Sequence, residues 1–170
     1  MIRVDDVHAI KLIAESASIQ YVPRWCHCIA DYSADDQLKG GVIFTAYWGG
    51  SVMIHMAGFR KNWVSKAMVY LAFDYPFNQL RVKKLFGTVP ERNIDARNSD
   101  LHLGFKIEYL THDVFAYPDG VNGMYLMSMM RDDCRWLNMR MPYIEYAPME
   151  MTNDVAARAA MSLPTVGMMQ

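Results

Sequence analysis

The stretch Arg60 to Phe77, RKNWVSKAMVYLAFDYPF, sets Arg60, Lys61 and Lys66 around a polar run that leads straight into an apolar segment. A helix entered this way has first N–H groups without intrahelical acceptors, and it points the positive end of its dipole at whatever precedes it. The chemistry on offer is capture of a phosphate. A second reactive type is His55, inside the apolar run SVMIHMAGF. An imidazole titrates near pH 6.5 when unperturbed, so it suits a general base, although a histidine among apolar neighbours also serves as a hydrogen-bonded core residue. The third is WCHC. On a strand, Cys26 and Cys28 point to one side and His27 to the other, which argues against a metal set. No metal is expected, and the cysteines, including Cys134, read as structural thiols of a reducing compartment.

These residues belong to a chain of 170 residues with a formal net charge of -1, about half apolar and a fifth charged. That composition is globular and excludes wholesale disorder. The charge gives no general reason to bind nucleic acid or an anionic membrane. Arg81-Val82-Lys83-Lys84 reads as the solvated start of a strand. No apolar run approaches the roughly 18 to 20 residues of a membrane span, and MIRVDDVHAI lacks the apolar core of a secretory signal. A soluble, cytoplasmic protein is expected.

The elements that would position the candidates follow from periodicity and turn residues. MIRV reads as a strand, and Asp5 or Asp6 caps a helix carrying Val7, Ile10, Leu12, Ile13 and Ala14. RWCHCIADY, GVIFTAYW and SVMIHMAGF are strands, joined through the polar SADDQLKGG and through Gly49-Gly50. Ser65 to about Leu80 is helical, with Pro76 disturbing the last turn. RVKKLFGTVP is a strand, ERNIDARNSDLHLG a helix stopped by Gly104, and FKIEYLTHDVFAY and MYLMSMMR form a closing hairpin around PDGVNG. The order predicts an α/β fold with a mostly antiparallel sheet and one parallel pair.

NWVSKA and NIDARNSDLHLGF carry a family resemblance. The chain resembles the GNAT superfamily of acetyl-CoA-dependent N-acyltransferases over most of residues 1–137. That family's pyrophosphate loop is usually Gln/Arg-x-x-Gly-x-Gly/Ala; here Asn62, Ser65 and Ala67 take the three positions. Its second segment, Asn-x-x-Ala-x-x-x-Tyr-x-x-x-Gly-Phe, keeps Asn93, Ala96, Gly104 and Phe105, with Asp100 where tyrosine is usual. GMYLMSMMRDDCRWL further resembles a variant seen in ribosomal-protein-acetyltransferase-like and bacteriophage-encoded members.

The resemblance implies a GNAT-like mixed sheet with flanking helices and acetyl-CoA as cosubstrate. Backbone N–H groups of Trp63, Val64, Ser65, Lys66 and Ala67 would hold the pyrophosphate. Ser65 replaces glycine at no cost if its backbone angles are ordinary. The backbone of His55, Met56 and Ala57 would pair with the pantetheine arm, with a Met56 or Ala57 N–H as oxyanion donor. Asn93 would contact the arm or cap its helix. Direct attack by an amine in a ternary complex needs a base, for which His55 is the candidate, and a proton for the leaving thiolate. As a carboxylate, Asp100 cannot supply that proton and would repel the thiolate. Tyr109 and Tyr125 are then the alternative donors, since Ser99 should point elsewhere on the helix. If none serves, the chain is a catalytically silent GNAT-fold protein that binds or inhibits a macromolecular partner. SIQYVPRW offers only a short acceptor wall, so the cleft should be open enough for a protein amine or large conjugate. Residues 138–170 form a Met-rich extension with 7 of the 15 methionines. It is expected to dock on its own domain or to build a homo-oligomer, with a short helix at NDVAARAAM.

Overall fold

The computed structural model describes residues 1–21 and 26–139. The expected helix at NDVAARAAM and the docking role of the extension lie outside these residues. Seven strands form one sheet in the order β1-β2-β3-β4-β5-β7-β6. They are β1 (Ile2–Val4), β2 (His27–Tyr32), β3 (Leu38–Thr45), β4 (Ser51–Gly58), β5 (Lys84–Pro90), β6 (Lys106–Tyr117) and β7 (Gly120–Met130). All neighbours are antiparallel except β4 and β5, which run parallel. This is the mixed, mostly antiparallel sheet with one parallel pair that the element order predicts.

Among the described residues three α-helices flank it. Helix α1 (Val7–Ser16) is capped by Asp6, whose carboxylate accepts from the Ala9 N–H at 2.9 Å. Asp5 instead accepts from the Cys28 N–H at 2.8 Å and ties the turn to β2. Ala9, Ile10, Ile13 and Ala14 are buried together with Cys28, Ala30, Ile43 and Ala57, so α1 covers one face of β2–β4. Val7, expected on that face, is exposed. Helix α2 (Lys66–Asp74) packs on the opposite face, where Met68, Leu71, Ala72 and Phe73 meet Ile29, Val42, Phe44, Val52 and Ile54. Helix α3 (Ile94–Leu103) lies on that second face through Ala96 and Leu103. Its end is fixed by Gly104 at φ 108°, a left-handed position that glycine takes without strain. Trp136, from a 3-10 turn after β7, stacks 8° from parallel on Phe73 and donates to the Leu103 carbonyl at 2.6 Å.

Several boundaries differ from expectation, among them β3, which runs Leu38–Thr45 and not Gly41 to Trp48; three have a visible physical reason. The α2 pattern does not stay α-helical to Leu80; Pro76 sits in a π-helical turn, Tyr75–Gln79, where the Leu80 N–H reaches back to the Tyr75 carbonyl. Buried Asp74 gathers the Tyr70 hydroxyl and the Asn78 and Gln79 amides at that turn. The strand expected from Arg81 begins at Lys84. Arg81 has φ 57°, and the N–H groups of Lys83 and Lys84 donate to the Gly50 carbonyl at the strand's mouth. The last hairpin turns on Pro118 and Asp119 alone, with Gly120 at φ 136°, so β7 starts four residues before Met124.

Candidate active site

The parallel pair makes the site. β4 and β5 pair only over Ser51↔Lys84, Val52↔Leu85 and Met53↔Phe86. Beyond that point the strands part, leaving Ile54 to Gly58 on β4 and Gly87 to Pro90 on β5 without each other's hydrogen bonds. A cleft of about 780 Å³ fills the wedge. Its walls are the free edges of both strands, the start of α3 from Asn93 to Asp100, the end of α1 at Ser16 to Ser18, and Trp63 and Val64. Strand edges that diverge inside a protein expose backbone donors and acceptors, which an extended ligand can satisfy as an added strand does.

The loop from Phe59 to Ser65 closes one end, and a tryptophan holds it there. Gly40 on β3 and Gly58 on β4 are register partners. A Cβ on either would lie 2.3 Å and 2.0 Å from the Trp63 indole. The ring therefore lies flat on a strip of bare backbone, and Asn62, at φ 58°, turns the chain into that position. Ser65 has extended angles, φ -84° and ψ 160°, so no positive φ is imposed where the family pattern has glycine. Its hydroxyl accepts from the Met68 N–H at 3.1 Å and caps α2, while the N–H groups of Lys66 and Ala67 stay without intrahelical acceptors. The same hydroxyl interacts with Asp31, which lies beneath the helix start. Burial alone would raise the Asp31 pKa, but Lys39 at 2.7 Å, the Met1 ammonium at 3.2 Å and Ser65 outweigh it and hold the carboxyl ionised. The sequence signal for this support was a lone aspartate ending an apolar strand.

His55, Met56, Ala57, Trp63, Val64 and Asn93 all line the cleft. Asn62, Ser65, Lys66 and Ala67 are not on its wall, although their chain neighbours Trp63, Val64 and Met68 are. Asn93 spends its side-chain oxygen on the Ala96 N–H at 3.1 Å, capping α3. Tyr109 and Tyr125 are not on the cleft wall. Tyr109 is 63 % exposed on β6, and the Tyr125 hydroxyl accepts from Arg97 at 3.2 Å. Ser99, expected to point elsewhere, lines the cleft beside Asp100. Among the described residues Tyr117 is the tyrosine on the cleft wall, held under the Arg92 guanidinium at 4.4 Å, with Arg92 also paired to Asp119 at 2.6 Å.

Two ionisable groups on the wall are shifted in opposite senses. His55 shares its sheet face with Ile43 and Ala57, the α1 side, and its Nε2 lies 3.0 Å from the Thr45 hydroxyl. Burial lowers its pKa to about 4, so the ring is neutral at pH 7 and a weaker base than a free imidazole. Asp100 sits on the α3 side, 8 % exposed, and burial raises its pKa to about 7. Near neutral pH the acid and the carboxylate are therefore present together, and the acid form can donate.

Among the described residues no group of three or more histidine, cysteine, aspartate or glutamate side chains could hold a metal ion, and no helix is long and apolar enough to cross a membrane. No family model and no curated protein matches the sequence. Solved structures do match its fold. Spermidine N-acetyltransferase of Vibrio cholerae in complex with CoA and spermine superposes with a TM-score of 0.63 at 15% identity, covering 81% of this chain and 98% of that one. A chimera of that enzyme, SpeG, with human SSAT reaches 0.64 at 16% identity over 81% and 98%. SpeG in complex with manganese ions gives 0.63 at 15% over 78% and 92%. The chain therefore shares the fold of these N-acetyltransferases, and its cleft lies at the parting of the parallel strands.

Proposed function

We propose that the chain is an acetyl-CoA-dependent N-acetyltransferase that passes the acetyl group directly to an amine. One observation carries the reading: β4 and β5 part after three residue pairs, and the wedge between them is lined by Val64 and Met68, which bracket the start of α2. A pyrophosphate at that start meets the N–H groups of Lys66 and Ala67, the helix dipole, and the loop N–H groups of Trp63 to Ser65. The pantetheine arm then runs along the free edge of β4, pairing with the backbone at Met56 and Ala57, and an N–H of that edge faces the thioester oxygen. Asn93 fixes the opposite lip by capping α3. The amine enters from the α1 side, past Ser16 to Ser18 and His55. Among the described residues that wall is short, which suits a large acceptor, such as a protein amine, as well as a polyamine like the one in the matched complex.

Holding nucleophile and thioester together supplies much of the acceleration in such a site, so the fold does most of the work before any side chain acts. Calorimetric or thermal-shift titration with acetyl-CoA and CoA tests the reading. At 100 times the dissociation constant a single-site ligand adds about 2.7 kcal/mol. Ala67→Glu is the paired control. A carboxylate in the first turn suits the helix dipole, so the fold stays intact while phosphate is repelled. Titration heats that are unchanged in the variant would remove the phosphate from this helix. A folded wild type without any response to CoA would turn the reading toward a silent protein that binds a macromolecular partner.

A further inference from the structure

The hairpin of β6 and β7 brings a fixed cation to the cleft. Its two strands run past the end of β5, whose last pair is Pro90↔Met124, and the arm beyond that pair meets the turn between β5 and α3. There the Glu91 N–H donates to the Gly123 carbonyl, and the Gly123 N–H donates to the Glu91 carboxylate, so arm and turn are tied together. Alternation along β7 sets the direction of the arm's side chains. Tyr125, Met127 and Met129 belong to the core under α2, so Gly120 and its partner Tyr117 fall on the α1 face, which is also the face of His55.

Tyr117 and Arg92 both line the cleft, and the guanidinium lies 4.4 Å from the ring centroid. Asp119, at the tip of the same hairpin, accepts from Arg92 Nη1 at 2.6 Å. That bond uses one of five N–H groups, and among the described residues the other four have no acceptor. The Asp119 side chain is 71% exposed, so water screens the pair, which orients the guanidinium more than it cancels its charge. A fork held by a ring and a carboxylate has lost much of its freedom before any ligand arrives.

Other charges on the wall do not offset it from the same side. Asp95 and Asp100 belong to α3, which packs with α2 on the opposite face, and burial keeps His55 neutral at pH 7. Ser16 and Ser18 at the end of α1 are uncharged. In the proposed function, on which this inference rests, the amine enters past these serines and His55. A polycation on that path is repelled by Arg92, whereas a carboxylate carried beside the amine meets a planar fork.

We propose that Arg92 is the specificity-determining residue for the acceptor, and that the acceptor is an amine whose molecule also bears a carboxylate, such as the N-terminus of an acidic peptide. Tyr117 and Asp119 are positioning residues, which act by holding the guanidinium.

The test measures initial rates of thiol release from acetyl-CoA with the full chain. The acceptors are C-terminally amidated alanine tetrapeptides carrying glutamate, glutamine or lysine at the first, second or third position, and spermidine. At the best position kcat/KM for the glutamate peptide should exceed that for its glutamine counterpart by about tenfold, as one charge-assisted pair provides, with the lysine peptide and spermidine below both. Arg92→Gln should abolish the preference for glutamate, and Arg92→Lys should restore part of it, since the charge returns without the fork. Tyr117→Leu and Asp119→Asn should lower the same preference through KM and not through kcat, whereas damage to the fold would lower every acceptor together. Equal kcat/KM for the three peptide types in wild type, or an unchanged preference in Arg92→Gln, would overturn the assignment. A chain that binds CoA by calorimetry yet acetylates none of the peptides, or prefers spermidine to all of them, overturns it too and leaves the cofactor reading standing. A folded chain without any response to CoA overturns both.

Discussion

Replacing Asp100 with asparagine should change how stability responds to pH more than it changes the fold. A carboxyl whose folded pKa is about 7 against an unfolded value of 3.8 prefers to fold protonated. Between those values the native state binds more protons than the unfolded one, so stability falls as pH rises. A gap of about three units is worth about 4 kcal/mol once pH exceeds 7. His55 works the other way. Its folded pKa is about 4 against 6.5, so the unfolded state binds the extra proton and stability rises with pH over that interval, by about 3 kcal/mol. The two slopes nearly cancel from pH 4 to 6.5. Wild type should therefore show a flat contribution from this pair in urea unfolding measured across that range. Asp100→Asn should keep the fold, lose the cancellation and gain stability steadily toward neutrality, ending about 4 kcal/mol above wild type at pH 8. His55→Gln should show the mirror slope. Parallel pH curves for wild type and Asp100→Asn would refute the claim that the carboxyl is buried and uncompensated.

Two further perturbations test the frame of the site. Gly58→Ala drives a methyl into the Trp63 indole and should cost about 1–3 kcal/mol by displacing the ring. In a double-mutant cycle with Trp63→Ala most of that cost should vanish, and additive effects in chemical denaturation would show that the indole does not rest on Gly58. Ser65→Ala removes the cap of α2 and should lower stability by about 1 kcal/mol in the same assay. It should also raise the pKa of Asp31, which loses one of the groups that hold it low; an unmoved Asp31 carboxyl resonance on acid titration would rule out that contact.

The sheet was legible because its signals are local and repeated. Alternating strands, Gly49-Gly50, the Asn93 cap and the Gly104 stop each specify an element through a few neighbouring residues. Element boundaries were less so where distant groups decided them. Nothing near Arg81 announces that Gly50 will bind the amides of Lys83 and Lys84, and nothing near Trp63 announces two glycines from strands β3 and β4. The site divides in the same way. His55, Met56 and Ala57 on β4 and Trp63 and Val64 before α2 do share one cleft, as the loop-to-helix pattern led one to expect, while Ser65, Lys66 and Ala67 are not on its wall. The protonation of Asp100 could not be read, because an aspartate's charge is decided by its surroundings and not by its type. Tyr109 and Tyr125 were reasonable candidates by chemistry, yet strand pairing carries one to the outer strand and the other to Arg97.

The same dependence on surroundings separates an aspartate at residue 100 from a tyrosine. A phenol holds its proton at pH 7 in water, whereas a carboxyl does so only when the wall around it excludes water. The requirement therefore moves from residue 100 to its neighbours. Phe73, Leu103 and Phe105, which share the cleft wall with it, become conditions for the proton's presence. Opening that wall, for instance by Phe73→Ala, should lower the carboxyl's pKa toward 3.8 without touching the carboxyl. The packing loss would cost about 3–5 kcal/mol as well, so the pKa must be read by 13C titration of the folded protein and not from activity. A carboxyl that still titrates near 7 in that variant would show that something other than the apolar wall keeps it protonated.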